Sequence, residues 1–254
     1  MNRSLARAAD WLLPFAGAAS ILLLWQFLVP ALGVPSYILP TPLAVAQKFA
    51  SEWRFLLENA VPTVIESLAG FFIGNIAAIL LAILFVASRT IRTAYFPVVL
   101  VFNTIPILAL APIIILIFGL GMLPKIIIAA VICFFPTLVN MVRGLNMASA
   151  SEMELMRVLS ASRGEIFLHL RLPRSVPLLF ASLRIASTSS VIGAIVGEWI
   201  GSNQGLGALI IQSTFNYQSD RLFAAVLMAS ALGLLFYGLV AAAERALVRR
   251  PGGN

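Results

Sequence analysis

The sequence predicts an all-α membrane protein with six membrane-spanning helices, and three observations lead to that fold class. Of its 254 residues, 61% are hydrophobic and only 11% are charged, whereas soluble domains usually contain about 25% charged residues. Six apolar segments are long enough to cross a hydrocarbon core, which needs about 20 residues. The basic residues are shared unequally between the loops of the two membrane sides. We therefore expect one polytopic transmembrane domain over residues 1–254.

The first predicted span covers about 12–32 and follows a short basic start, MNRSLARAADW. That start lacks a clear A-x-A cleavage site, so we interpret the segment as a retained span. Thr41 and Pro42 predict a helix start, with a capping hydroxyl followed by proline at the first helical position. Apolar residues recur at helical spacing from Leu43 to Trp53. They indicate an amphipathic helix that either lies on the membrane surface or packs on the outer loops.

Five further spans are predicted from the remaining apolar segments, and the third span of the six contains three prolines. The five segments cover about 61–87, 94–118, 125–144, 178–200 and 221–244. Two glycine patterns predict close helix approach, namely Gly70-x-x-x-Gly74 in span two and Gly193, Gly197 and Gly201 on one face of span five. A turn and a short helix over 206–215 are predicted between spans five and six.

The longest polar stretch, Ser149 to Pro177, cannot lie in a lipid core because it carries eight charged or histidine side chains. Two Ser-x-x-Glu patterns predict capping boxes at helix starts, formed by Ser151 with Glu154 and by Ser162 with Glu165. Pro173 is expected to end the second helix. We predict two short helices, about 152–160 and 163–171, that meet at roughly a right angle. Such a helix pair suits a docking surface better than a plain loop.

The distribution of Lys and Arg predicts the orientation in the membrane. Six spans place both termini and the polar stretch on one side, which holds 13 of the 17 basic residues. The other side holds four, namely Lys48, Arg54, Lys125 and Arg221. Because cytoplasmic loops are enriched in Lys and Arg, the side with 13 is predicted to be cytoplasmic.

No catalytic or metal site is predicted. The sequence has no G-x-x-x-x-G-K-[ST] phosphate loop, so it does not bind ATP by that route. Its single histidine, His169, excludes a site built from several histidines, and the basic residues form no patch for nucleic acid. Two carboxylates, Glu66 and Glu198, fall inside predicted spans, where ionisable residues usually face a cavity or a partner. Each could instead lie solvated in the headgroup zone.

The polar stretch also resembles a known motif. Permease subunits of bacterial ABC importers carry a cytoplasmic loop of the pattern EAA, three residues, G, nine residues, I-x-L-P. Glu154 matches its glutamate and Leu172-Pro173 match its Leu-Pro at the same spacing. The chain departs from the pattern at four positions, which hold Leu155, Met156, Ser160 and Leu170. The segment Leu159-Ser160-Ala161-Ser162 is similar to the L-G-A-S of the nitrate, sulfonate and taurine branch.

The resemblance extends over most of the chain. The run GAIVGEWIGSNQGLG is also similar to permeases for thiamine-precursor pyrimidines and riboflavin. The resemblance implies a permease fold of the type I importer kind, in the bacterial inner membrane with both termini cytoplasmic. It implies two ATPase subunits, a periplasmic or lipid-anchored solute-binding protein and a second permease copy as partners. ATP and Mg²⁺ are then expected on the ATPase, with no cofactor bound by this chain.

The resemblance also implies residue roles. Coupling to the ATPase is expected at Glu154, Arg157, Ser160, Ala161, Ser162, Leu172 and Pro173. Tight helix packing around the translocation path is expected at Gly193, Gly197 and Gly201.

Glu66, Glu198 and Trp199 are candidates for the solute path or its outer gate. A carboxylate beside an indole favours a neutral or cationic heterocycle over nitrate, sulfonate or taurine, because the indole offers a stacking surface. Alternatively, Glu198 pairs with Arg221 or another group at the outer gate and does not contact the solute. An ion-coupled secondary transporter that uses Glu66 and Glu198 is the alternative function.

Overall fold

The computed structural model describes residues 3–248, and side chains from residue 13 onward. Within that range the chain is helical and contains no β-strand. The helices are α1 (Arg3–Ala31), α2 (Pro42–Ser51), α3 (Trp53–Ala87), α4 (Arg89–Phe102), α5 (Ile107–Phe118), α6 (Met122–Leu145), α7 (Ala150–Val158), α8 (Arg163–Ile166), α9 (Leu172–Glu198), α10 (Leu206–Phe215) and α11 (Ser219–Leu247). A π-helical segment, Phe167–Arg171, joins α8 to α9.

The described helices confirm the predicted all-α fold. Five are long and apolar enough to cross a membrane, and their bounds are Leu13–Ala31, Trp53–Ala87, Met122–Leu145, Arg163–Glu198 and Ser219–Leu247. Helices α4 and α5 together supply a sixth candidate span, but they are bent by 99° at their junction. The prediction of a continuous third span over 94–118 is therefore wrong.

Proline explains the break between α4 and α5. Pro106 precedes the first residue of α5 and has no N–H to continue the hydrogen-bond ladder of α4. The residue before a proline also avoids the helical region, so Ile105 is a natural end point for the turn. Pro97 and Pro112 lie inside their helices without breaking them.

Helices α3, α6 and α9 form the centre of the bundle, and small residues bring them together. On α3, a Cβ at Gly70 or Gly74 would overlap the backbone or Cβ of Ala129 and Ala130 in α6. The sequence pattern in span two therefore corresponds to a real close approach. The approach is between two helices of the same chain, α3 and α6.

The second glycine pattern is only partly as predicted. In α9, a Cβ at Gly193 would lie 2.6 Å from Ala129 Cα, and one at Gly197 would lie 3.0 Å from Lys125 Cα. Gly201 comes after the end of α9 with φ +79°, so it does not share their helix face. These contacts also join α9 to α6 of the same chain, whereas we predicted packing around the translocation path.

Helix α2 starts as the sequence predicts and packs on neighbouring elements of the chain. The Thr41 hydroxyl accepts a hydrogen bond from the Ala44 N–H at 3.3 Å. Val45 is buried in a cluster with Leu56 and Ala224, which belong to α3 and α11. In the part of the chain that the structure describes, the helix packs on helices α3 and α11 of the bundle and not on loops, and its position relative to the membrane surface stays a prediction.

An ion network ties the end of α2 to the start of α11. The Arg221 guanidinium donates to both Glu52 oxygens, at 2.7 and 2.6 Å. Lys48 pairs with Asp220 at 3.2 Å and with Glu52 at 3.5 Å. The hydrogen bond from Arg221 is the main cause that holds the pKa of Glu52 below its ordinary value. Glu52 therefore stabilises the fold above the ordinary carboxyl pKa, and that contribution is lost as the pH falls through the lowered pKa.

We expect Glu52→Gln to lower the stability of the purified protein by about 1 kcal/mol at pH 7, because a bidentate charged pair is lost at a partly exposed site. The midpoint of thermal unfolding in detergent would measure it. The difference from the parent should shrink at about pH 3, where the carboxyl is protonated in the unfolded chain. Glu58→Gln, in the first turns of α3 and exposed, is the matched control and should behave like the parent. An equal difference at both pH values would contradict the role of the ion pair.

Candidate coupling surface and outer polar site

The coupling segment, defined here as residues 149–177, contains two capped helix starts. Ser162 and Glu165 form the predicted capping box, with bonds of 3.3 and 2.7 Å between each side chain and the other residue's N–H. The other box is formed by Ser149 with Glu152, at 3.3 and 2.9 Å. The predicted pair, Ser151 with Glu154, is therefore wrong by two residues. Glu154 is not used for capping and is exposed on α7.

Pro173 does not end the second helix, contrary to the prediction. Helix α8, the π-helical segment and α9 continue as one 36-residue stretch, Arg163–Glu198. Pro173 has no N–H for the carbonyl four residues earlier. The wider turn of the π-helical segment, in which the Leu172 N–H bonds the Phe167 carbonyl, allows the helix to continue past it.

The continuous helix is longer than a membrane core. At about 1.5 Å per residue it measures about 54 Å, against a hydrocarbon core of about 30 Å. Its charged first turns therefore lie outside the core while Glu198 lies at the opposite end. One rigid element links the coupling segment to the other side of the bundle.

Ser160 occupies the position where the importer motif has glycine, and its backbone explains that preference. Its φ is +53°, in the left-handed region. The Ala161 N–H reaches back to the Met156 carbonyl at 2.9 Å, which closes the end of α7. A residue with a Cβ costs about 1–2 kcal/mol in that conformation. The turn forms with serine, but under strain that glycine would not have.

The coupling segment exposes an apolar cluster. Leu155, Val158 and Leu159 are 59%, 81% and 65% exposed. They are three and four residues apart, so they share one face of α7 and its end. Arg174 pairs with Glu152 and ties α7 to the start of α9. An apolar cluster rimmed by charges, outside the part of the chain that spans the membrane, is typical of a protein contact.

Glu198 is fully enclosed at the other end of α9. The Thr63 hydroxyl donates to Glu198 Oε1 at 2.6 Å, and the Gly207 N–H donates to Oε2 at 2.6 Å. The Leu206 N–H donates in turn to the Thr63 hydroxyl at 3.0 Å. Glu198 is 1% exposed. Its carboxylate therefore fastens the start of α10 to α3.

The glycines that follow Glu198 are explained by this contact. A Cβ at Gly205 or Gly207 would overlap the Glu198 side chain, and Gly205 also has φ +111°. Arg221 is not the partner of Glu198, because Arg221 binds Glu52; Glu198 pairs with Thr63 and Gly207 instead. Direct solute contact by Glu198 stays a prediction. Trp199, the first residue after α9 and 39% exposed, also stays a candidate.

Glu66 forms a buried ion pair that the sequence did not indicate. Lys125 Nζ donates to Glu66 Oε1 at 3.0 Å and to the Ser202 hydroxyl at 2.8 Å. Glu66 is fully buried, so the solvated headgroup position considered for it does not apply. The sequence places Lys125 at the start of a predicted span, where we counted it among the four basic residues of the outer side. Its place in the second turn of an apolar helix is the signal that could have marked it.

The described helices define a multi-pass membrane protein with an exposed apolar cluster on α7 at one end and a buried ionic cluster at the other. The chain belongs to the family of binding-protein-dependent transport system inner membrane components, which matches residues 70–249. It is therefore a permease subunit of an ABC importer.

Curated relatives carry several solute names. The formylaminopyrimidine transport permease ThiX of Halalkalibacterium halodurans is 29% identical, over 90% of this chain and 91% of the relative. The riboflavin transport permease RibX of Chloroflexus aurantiacus is 32% identical, over 90% and 86%. A putative aliphatic sulfonates permease, SsuC of Bacillus subtilis, is 27% identical, over 94% and 87%. These names do not agree on one solute.

A solved structure supports the fold. A chain of the MetNI methionine ABC transporter, in an inward-facing conformation, matches with a TM-score of 0.67 at 20% sequence identity. The match covers 77% of this chain and 97% of that one. The predicted fold of a type I importer permease is confirmed at this level.

Among the side chains that the structure describes, from residue 13 to 248, no three His, Cys, Asp or Glu groups are placed together as metal ligands would be.

Proposed function

We propose that this permease forms the path for a neutral, ring-containing solute, and that a separate ATPase drives it through the coupling segment. The observation that carries the coupling part is the exposed apolar cluster of Leu155, Val158 and Leu159 on a capped helix. The cluster lies outside the membrane spans, and the exposure of these apolar side chains to water is unfavourable. An ATPase subunit with an apolar groove would cover it.

The continuous helix Arg163–Glu198 supports a mechanical link. When ATP and Mg²⁺ close the ATPase pair, movement of the coupling segment would pass along α9 to the outer end. There, Glu198 holds α10 against α3 through Thr63 and Gly207. The outer end would then open or close as a unit. We propose a pair of permease subunits, identical or closely related, with the coupling segment and both termini in the cytoplasm.

The names of two relatives and the charged side chains of the outer polar site both support a heterocyclic solute. Two of the relatives described above are named for heterocycles, a formylaminopyrimidine and riboflavin. The outer polar site contains two carboxylates, Glu66 and Glu198, and one ammonium, Lys125. Carboxyl oxygens accept hydrogen bonds from N–H groups, so two of them favour neutral or cationic solutes that carry such donors over sulfonates, which offer only acceptors. We therefore propose a heterocycle, and not a sulfonate, as the transported solute.

Uptake by proteoliposomes tests the proposal. Vesicles would contain the permease with its cognate ATPase inside and solute-binding protein outside. We expect ATP-dependent accumulation of a labelled formylaminopyrimidine or riboflavin, and none of ethanesulfonate. Vesicles with an ATPase that cannot hydrolyse ATP are the control. Accumulation of ethanesulfonate alone would contradict the solute class, and uptake driven by an ion gradient without the ATPase would contradict the coupling.

A further inference from the structure

A polar pocket opens beside the buried ion pair. It has a volume of about 300 Å³, at the lower end of the range for small-molecule sites. It lies between α3, the start of α6 and the loop that follows α9. Its polar lining consists of Glu66, Lys125, Ser202, Asn203 and Gln204. Glu66 and Lys125 come from helices of the bundle centre, and the other three side chains come from the loop.

The pocket contains hydrogen-bonding groups that the described chain leaves unused. Glu66 Oε2 is buried and has no partner among the described residues. An ammonium has three N–H donors, and Lys125 uses two of them, on Glu66 and Ser202. The side-chain amides of Asn203 and Gln204 make no hydrogen bond within residues 13–248. The pocket therefore offers both hydrogen-bond acceptors and hydrogen-bond donors to a ligand.

The charges around the pocket favour a ligand that brings N–H donors. Glu66 and Glu198 have neighbouring carboxyl groups, and Lys125 is the cation that pairs with Glu66. Both Glu198 oxygens already accept hydrogen bonds, so Glu66 is the acceptor that remains. A buried carboxylate oxygen without a donor is costly. An amino group or ring N–H would remove that cost, whereas a sulfonate offers only acceptor oxygens to this carboxyl oxygen.

We infer that this pocket is a solute subsite for a neutral ring with adjacent hydrogen-bond donors and acceptors. In it, Glu66 accepts from the solute, Lys125 and the Asn203 amide bind its carbonyl or ring nitrogen, and Glu198 positions the loop. The inference rests on the proposed function because it takes the ring-containing solute class from it. It goes further by assigning recognition to the Glu66–Lys125 pocket rather than to Glu198.

Protection of an introduced cysteine tests the subsite. Full-length Gln204→Cys in proteoliposomes would be labelled with a membrane-impermeant maleimide, with Gln212→Cys on α10 as the exposed control. The native Cys133 is fully buried, and the parent chain measures its background. We expect millimolar formylaminopyrimidine or riboflavin to slow labelling of Gln204→Cys at least about fivefold, and ethanesulfonate to have no effect. Labelling of Gln212→Cys should not change with any probe.

A second substitution tests the role of Glu66. Glu66→Gln keeps the size of the side chain, and combined with Gln204→Cys it should raise the half-protecting concentration about tenfold, as expected for loss of a charge-assisted hydrogen bond. Glu58→Gln on the same helix is the matched control and should leave that concentration unchanged. Equal labelling rates without probe would show that the variants keep the fold.

The outcomes separate this inference from the proposed function. ATP-driven uptake of a heterocycle without protection at Gln204→Cys would overturn the subsite and leave the function standing. Protection by ethanesulfonate would overturn the ligand class. Protection that is unaffected by Glu66→Gln would mean that a proton shared with Glu198 satisfies Glu66, and would also overturn the inference. Absence of both uptake and protection would overturn both proposals.

Discussion

Val158→Asp is expected to reduce ATP-driven uptake at least about a hundredfold while the chain still inserts into the membrane. Val158 is 81% exposed at the end of α7, between Leu155 and Leu159. If the ATPase covers this cluster, the aspartate carboxylate becomes buried without a partner, which costs several kcal/mol. The complex would dissociate, although no contact within the permease is lost. Co-purification with the ATPase and uptake by proteoliposomes would measure the two effects.

The control for this substitution is Leu247→Asp. Leu247 is 74% exposed at the end of α11, on the membrane side where we predict the coupling segment, and it lies outside that segment. It should keep the ATPase bound. We expect a smaller loss, about tenfold, for Glu154→Ala, because an exposed charge contributes less than a buried apolar contact. Full co-purification and uptake with Val158→Asp would contradict the assignment of the coupling surface.

The sequence predicts the fold well because lipid imposes a simple rule. A segment of about 20 apolar residues has to be helical in a membrane, so five of the six spans and the short helix over 206–215 are found where the sequence predicts helices. Their starts are less well predicted, since α3 begins at Trp53 and the helix that contains span five begins at Arg163. The residues that end or cap individual helices were predicted less reliably. Pro106 breaks a span and Pro173 does not, since the π-helical segment before Pro173 lets the helix continue without its N–H. Two serines, Ser149 and Ser151, could cap α7, and composition does not determine which of them does.

The polar sites were predicted as candidates without their partners. Glu66 and Glu198 were identified because charges in apolar spans are unusual. Lys125 was not, because six spans place it near a boundary where a lysine is ordinary. The Thr63 hydroxyl is 135 residues away from Glu198 in sequence, and no helical periodicity relates the two. Contacts between helices depend on rotation and depth in the bundle, which one sequence does not supply.

Glu198→Ala is expected to destabilise the permease by about 3 kcal/mol, because two buried donors, the Thr63 hydroxyl and the Gly207 N–H, lose their acceptor. Glu198→Gln should cost about 1 kcal/mol, since its amide oxygen still accepts from Gly207 and its NH₂ group donates to the Thr63 hydroxyl. Unfolding of the purified protein, followed by circular dichroism, would measure both. Thr63→Val supplies the partner for a double-mutant cycle, and its effect should be less than additive with Glu198→Ala.

This order of stabilities separates a fastening role from solute recognition by Glu198. If the carboxylate fastens α10 to α3, Glu198→Gln keeps the outer end assembled, and uptake and basal ATPase activity should both remain within about threefold of the parent. If Glu198 binds solute instead, Glu198→Gln would impair uptake with normal basal ATPase activity, and Glu198→Ala would be as stable as the parent. That second result would contradict the fastening role. Loss of the Thr63 and Gly207 hydrogen bonds without a change in stability is incompatible with their short distances and complete burial.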